Sequence, residues 1–268
     1  MTFSPSLFDL SGRVALVTGG AGILGRHFCS GLAQAGANVV VADLDKESAE
    51  TIAHGLPGSP LAIAVDLAQE SSIANMVETI TRHYGRLDIL HNNAATKPRE
   101  LRRFFDPVET FSLEIWQEVM RINLDAMFLV ARHAGGHMAS HGGGSIIQTA
   151  SIYGIMAPDQ RIYEGSDYLG GPINTPAVYS ASKAGVVGLS RHLASYWAAQ
   201  GVRVNTLTPG GVESGQNDIF REKYSARVPM GRMAQPHEMV GALVFLASDA
   251  ASYITGQNIV IDGGLSVW

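Results

Sequence analysis

Short apolar, β-branched runs alternate along the chain with longer amphipathic or polar stretches. The runs are residues 14–18 (VALVT), 38–43 (NVVVAD), 61–66 (LAIAVD), 87–91 (LDILH), 144–151 (GSIIQTAS), 202–207 (VRVNTL) and 258–262 (NIVID). Runs this short, bounded by Gly, Asp and Asn, predict buried strands. Between them the spacing predicts helices over 24–35, 46–54 and 73–84, where Ile73, Met76, Val77, Ile80 and Tyr84 share a face and Gly85 is the stop signal. A long helix is predicted over 113–138, with Trp116, Val119, Ile122, Leu124 and Phe128 as core and Gly135 and Gly136 interrupting it. Pro176 opens a further helix with Thr175 or Asn174 as its cap, and another lies near 236–246. Strands alternating with helices predict an α/β fold: a doubly wound parallel sheet with helices on both faces.

No linker, composition shift or repeat divides the chain, so a single domain over 1–268 is expected. Residues 152–176 break the alternation with a long, irregular, polar stretch holding Tyr153, Asp159, Arg161, Tyr163, Glu164, Asp167 and Tyr168. Loops of that length in compact domains are usually functional or disordered. Three tyrosines and several charges suit a lid over a polar ligand.

Hydrophobic residues make up 46% of the chain, enough for a substantial core, and the formal charge of −5 gives no support for nucleic-acid binding. The single Cys29 excludes an internal disulfide and fits a reducing compartment. The start lacks the basic segment and apolar core of a signal peptide, and no apolar run approaches a membrane span. A soluble, cytoplasmic protein is the expectation.

Candidate chemistry begins at residues 18–25, TGGAGILG, where the first strand meets the first helix. Gly20, Gly22 and Gly25 satisfy G-x-G-x-x-G, whose glycines admit a close ligand and whose following helix start suits a pyrophosphate. Asp43 closes the second strand near the offset at which a carboxylate binds the adenosine ribose. Its charge would repel a 2′-phosphate, so NAD is favoured over NADP; capping of the helix from Lys46 is its other reading. Asp66 could face the adenine or cap the next helix.

Asn92, Asn93, Ala94 and Ala95 follow the fourth strand at a carboxyl end of the sheet, where open α/β sheets place ligands. The basic loop 97–103, with Lys97, Arg99, Arg102 and Arg103, is either a solvated surface or a clamp for an anionic substrate group. His133 and His137 are spaced i, i+4, but no Glu completes H-E-x-x-H, so no metal is expected. Tyr179 and Lys183 also stand four apart, on one helical face. Ser180 and Lys183 match a serine-nucleophile motif by chance, since its companion motifs are absent.

The ordered set resembles the short-chain dehydrogenase/reductase family in its compact, single-domain branch. It comprises the glycine turn, Asn92-Asn93-Ala94-Ala95, Asn123, Ser151, Tyr179-x-x-x-Lys183, Pro209-Gly210 and Thr255-Gly256-Gln257. The resemblance runs from Arg13 to Gly264 and implies a seven-stranded Rossmann sheet and commonly a homotetramer, or a dimer. It implies a catalytic tetrad of Asn123, Ser151, Tyr179 and Lys183. For the cofactor it implies Gly19, Gly22, Ile23, Leu24, Gly25, Asp43, Leu44, Asp66, Leu67, Asn93, Ala94, Tyr179, Lys183, Pro209, Gly210 and Val212. Two departures stand out. Ile23 occupies the middle glycine position of T-G-x-x-x-G-x-G, and Ser151 lies about twice the usual distance from Tyr179 in sequence. The insertion between them, with Ala157-Pro158-Asp159 and Ile162-Tyr163-Glu164-Gly165, is similar to members acting on sugars and their derivatives.

The expected reaction is hydride transfer between NAD and a secondary alcohol or ketone. Tyr179 would be the acid/base, Lys183 would favour its phenolate, Ser151 would bond the reacting oxygen, and Asn123 would hold a relay water. The expected substrate is a small hydroxylated molecule, a sugar or an acidic sugar derivative. Arg99, Arg102, Arg103, Tyr153, Arg161, Tyr163 and Glu164 are its candidate contacts. The alternatives are an NADPH-dependent ketone or 3-oxoacyl reductase, and a non-catalytic dinucleotide-sensing protein.

Overall fold

The computed structural model describes residues 4–268. In chain order the strands are β1 (Val14–Thr18), β2 (Asn38–Asp43), β3 (Leu61–Ala64), β4 (Ile89–Asn92), β5 (Gly144–Thr149), β6 (Asp167–Tyr168), β7 (Gly171–Pro172), β8 (Val202–Pro209) and β9 (Asn258–Ile261). Seven of them form one parallel sheet in the order β3-β2-β1-β4-β5-β8-β9, while β6 and β7 pair as a separate small antiparallel hairpin. The order reverses between β1 and β4, so the loops leaving their carboxyl ends diverge and open a crevice.

Helices α1 (Gly25–Gln34), α2 (Lys46–His54) and α8 (Val240–Ala247) cover one face; α3 (Glu70–Tyr84), α5 (Ala126–Ser140) and α6 (Ala177–Trp197) cover the other. All five residues of β1 are buried because both faces are covered. Leu16 packs with Ile73, Met76, Leu90 and Ile146 on one side; Ala15 and Val17 pack with Phe28, Leu32 and Leu243 on the other. Each such aliphatic side chain contributes about 1.5–3 kcal/mol by leaving water.

Three predicted features change. The long helix over 113–138 is instead α4 (Leu113–Met120), a π-turn over Arg121–Asp125, and α5. A π-turn inserts one residue and shifts the helical phase. The core beyond it therefore falls on Ala126, Met127, Val130 and Ala131, while Phe128, predicted inside, is 41% exposed. Second, α5 runs unbroken through Gly135 and Gly136. A Cβ on Gly135 would lie 2.5 Å from the Trp197 ring, so this glycine serves close packing rather than a break. Third, Pro176 is itself the cap of α6; the Thr175 and Asn174 side chains point elsewhere, to Tyr163 and to the Phe105 carbonyl.

The 152–176 insertion is fixed on two sides. Towards 101–105, Arg102 donates to the carbonyls of Pro172 and Tyr168, and Asn174 donates to Phe105 O. Towards α7 (Asp218–Ser225), Lys223 donates to Glu164 O, Arg227 pairs with Asp159, and Ser166 donates to Asn217 Oδ1. The same Asn217 oxygen caps α7 by accepting from Phe220 N.

Candidate active site

The residues singled out in the sequence gather at the carboxyl edge of the sheet. The glycine turn leaves β1, Asp43 ends β2, Asn93 and Ala94 leave β4, and Ser151 follows β5. A groove of about 570 Å³ runs along this edge, lined by Gly19, Gly22, Ile23, Leu24, Gly25, Asp43, Leu44, Leu67, Asn93 and Ala94 among others. Ala95, which the sequence places beside Ala94 at the end of the fourth strand, lines it too, as do Thr96 and Ile122, which the sequence does not single out as ligand contacts; the spacing predicts Ile122 as helical core. Asp66 is exposed and bonds its own turn, accepting from Ala68 N, without lining the groove. Pro209 closes β8, Gly210 packs on Asp262, and Val212 bridges to Ala234, all outside that groove's lining.

The turn tolerates Ile23 because the side chain is 48% exposed and the close approaches are made by other glycines. Gly19 has φ +64°, and a Cβ there would lie 2.9 Å from Ala94 Cα. A Cβ on Gly25 would collide with Gly19 O. The N–H groups of Ile23 and Leu24 have no protein acceptor among the described residues, and Leu24 caps α1 without a side-chain bond. Free donors at a helix start form a ready anion site. Asp43 does not cap α2, a task done by Asp45; it accepts from Ala21 N at 3.0 Å and faces the groove. Among the described residues Asp43 and Asp45 are the only charged ones in the groove lining. These features fit a nicotinamide dinucleotide.

The tetrad positions lie beside this groove. Asn123 sits in the π-turn, fully buried; its Oδ1 accepts from Thr96 N at 2.8 Å and its Nδ2 has no partner among the described residues. Lys183, 2% exposed, donates from Nζ to Thr149 O at 2.9 Å, and burial pulls its pKa down to about 8. Tyr179 is one helical turn earlier on α6. Burial raises its phenol pKa, and a hydrogen bond with Ser151 opposes the rise. Desolvation outweighs the Ser151 bond, so the phenol stands above its ordinary value.

A second cavity, about 600 Å³, lies between residues 106–116 and the insertion, with Trp116, Gln160, Tyr163, Glu164, Asn174 and Thr175 in its lining. Tyr163 joins it to the tetrad, since ionisation of Tyr179 opposes ionisation of Tyr163. Tyr153 hydrogen-bonds Tyr163, and burial lifts its phenol well above the ordinary range. Arg99, Arg102, Arg103 and Arg161 do not line the cavity. Arg102 holds the β6–β7 hairpin, Arg103 pairs with Glu100, and Arg161 pairs with Asp159. The basic loop thus reads here as support for the insertion, a role its composition could not distinguish from a clamp. His133 lies near Glu70 and His137 stacks on His141; among the described residues no His, Cys, Asp or Glu cluster is set to hold a metal.

A family profile described as Enoyl-(Acyl carrier protein) reductase matches residues 19–266. The chain belongs to the short-chain dehydrogenase/reductase family. It is 36% identical to a D-threitol dehydrogenase of Mycolicibacterium smegmatis, over 97% of this chain and 95% of that one. It is 35% identical to a 3-oxoacyl-acyl-carrier-protein reductase of Thermotoga maritima, over 96% and 99%. A gluconate 5-dehydrogenase of Burkholderia cenocepacia, solved in complex with NADP and tartrate, superposes with a TM-score of 0.86 at 31% identity, covering 98% of each chain. The seven-stranded parallel sheet is the one expected of this family, whose members bind nicotinamide dinucleotides and act as oxidoreductases. No helix among the described residues is long and apolar enough to cross a membrane.

Proposed function

We propose that this protein oxidises a secondary hydroxyl of an uncharged polyhydroxylated molecule, a sugar or sugar derivative, with NAD as acceptor. The observation that carries the reading is a groove with the Asp43 carboxylate in its lining, tied to the tetrad through Thr96–Asn123 and through Asn93–Thr149–Lys183, together with a second cavity whose lining among the described residues holds carboxylates and amides but no Lys or Arg. An anionic substrate group would instead meet Asp106, Glu109, Glu164 and Asp167 in that cavity. The threitol and gluconate relatives support a polyol-like substrate.

A nicotinamide dinucleotide held in the groove would supply the hydride acceptor and, in its oxidised form, a positive charge beside the site. The glycine turn, with the free N–H groups of Ile23 and Leu24, would hold its pyrophosphate, and Asp43 would hold the adenosine ribose. Ser151 donates to the reacting oxygen and positions it at Tyr179. Tyr179 takes the hydroxyl proton as the carbon gives up hydride. The ionised phenol is stabilised by the ammonium of Lys183, which Thr149 O fixes in place. Asn123 holds a water through which the proton leaves.

The direct test is NADH formation by purified protein on neutral polyols, sugar acids and apolar alcohols, with NADP in parallel. Turnover of a neutral polyol class with NAD is expected. Activity confined to sugar acids overturns the substrate reading, and activity confined to NADPH-dependent reduction of acyl or apolar ketones overturns the direction and cofactor as well. Asp43→Ser removes the charge facing a 2′-phosphate, so the ratio of kcat/KM for NADP over NAD rises about tenfold or more, roughly 1.4 kcal/mol. An unchanged ratio would remove Asp43 as the discriminator. Self-association is proposed through α6, where exposed Ala184 and Gly188 leave room for a second helix. Sedimentation at several concentrations checks it, a monomer throughout being the contrary result.

A further inference from the structure

His91 is a polar residue where the strand has no evident use for one. It lies in β4, fully buried, in register with Val17 and Ile147, and its ring meets the Phe28 ring edge-on at 4.4 Å. An aliphatic side chain would pack there without loss, whereas a buried imidazole costs free energy unless it is bonded. Its one bond joins Nε2 to Thr149 Oγ1 at 3.3 Å, and Nδ1 has no partner among the described residues.

The direction of that bond follows from its neighbours. Asn93 donates from Nδ2 to the carbonyls of Thr18 at 3.2 Å and Gly19 at 3.4 Å, which turns Oδ1 toward Thr149. The Thr149 hydroxyl has one proton, and Asn93 Oδ1 can only accept it. His91 Nε2 must therefore carry a proton and donate, leaving Nδ1 as a bare acceptor. Donors then run one way, from His91 to Thr149 to Asn93 to the Gly19 carbonyl, where Gly22 N also bonds to close the cofactor turn. Chains of this kind strengthen their members.

We propose that His91 is a positioning residue for cofactor binding, acting through the Thr149 hydroxyl to hold the Asn93 amide in the orientation that braces the glycine turn. The same Thr149 carries on its carbonyl the Nζ of Lys183, so one residue registers the turn and the lysine against each other. The proposal rests on the assignment of the groove to a dinucleotide.

The test is calorimetric NADH binding, without substrate, by the whole chain and by H91L, H91Q, T149V and the H91L/T149V double variant, with thermal midpoints alongside. Gln keeps a donor near the place of the imidazole Nε2, and Val keeps the shape of Thr without its hydroxyl. H91L and T149V are each expected to weaken binding about tenfold, the double variant no more than either alone, and H91Q to stay within about twofold of the unmodified chain. A purely structural imidazole would lower the midpoint and leave the dissociation constant unmoved. Unchanged affinity in T149V, multiplied effects in the double variant, or an H91Q as weak as H91L overturns the proposal; T149V and H91Q decide it even where H91L does not fold. Failure of the unmodified chain to bind NADH or NADPH overturns the groove assignment and the proposal with it.

Discussion

Tyr179→Phe should reduce turnover by about three orders of magnitude or more, close to 4 kcal/mol of barrier, while NADH binding survives. The substitution removes one oxygen and leaves the ring that packs with Phe104, Val119 and Val178. What disappears is the group proposed to receive the substrate proton. Among the described residues no other phenol hydrogen-bonds Ser151. Tyr163 is close, yet its hydroxyl is committed to Thr175 and Tyr153 and burial raises its pKa, so it is a poor substitute. Steady-state rates on the substrate found by the panel, with dinucleotide affinity measured beside them, separate chemistry from binding. A purified variant keeping more than a tenth of the turnover would remove Tyr179 from its role.

Lys183→Met should inactivate the protein and stabilise it. Loss of the ammonium removes its support for the phenolate, for which a drop of about a hundredfold or more in kcat is expected. Stability moves the other way. The folded-state pKa of about 8 lies below the ordinary value of 10.5, so near neutrality burying the charged form costs about 3 kcal/mol. Part of that gain is offset because Thr149 O loses its donor, which costs about 1–2 kcal/mol. A net gain of about 1–2 kcal/mol remains, a rise of roughly 2–4 °C in Tm for a chain of this length. The sign of the pH dependence is fixed as well. Between the two pKa values the unfolded chain binds more protons than the folded one, so the unmodified protein gains stability as pH rises from about 8 to 10.5. The variant's advantage should shrink over that window. Thermal unfolding at pH 7 and pH 10 measures it, and a variant less stable at pH 7 would contradict the cost assigned to the buried charge. Such a conflict between stability and chemistry is common where a charge must be kept dry.

Legibility in the sequence follows the range of the physics involved. The sheet was readable because its central strands are short apolar runs covered on both faces, and α3 because Ile73, Met76, Val77 and Ile80 recur at helical spacing and Gly85 ends it in a left-handed conformation. The break between α4 and α5 was not readable. Periodicity assumes a constant phase, and a single π-turn at Asn123 defeats it, placing Ile122 in the groove and Phe128 near solvent. Glycines were ambiguous in the same way: Gly135 carries the helix past Trp197, a contact between residues distant in sequence. The basic loop was ambiguous because Arg102 finds its acceptors in the hairpin that ends the insertion, far along the chain. His91 stood in plain view as a polar residue in an apolar run, and only the register of β4 against β5 brings it near Thr149.

The two-sided fixing of the insertion separates what the protein does from what it does it to. The described bonds that anchor residues 156–175 run to Arg102, Phe105, Asn217, Lys223 and Arg227, or stay inside the segment, as with Gln160 and Thr175. Only the two ends of the insertion touch the tetrad: Tyr153 N and Gly154 N donate to Ser151, and Tyr179 N donates to Pro176 O. The segment is in effect a cassette with its own sockets. Descendants of this chain, natural or engineered, can rewrite the cavity by exchanging residues 156–175 together with the five anchoring positions, provided the joints at Ser151 and Tyr179 are kept.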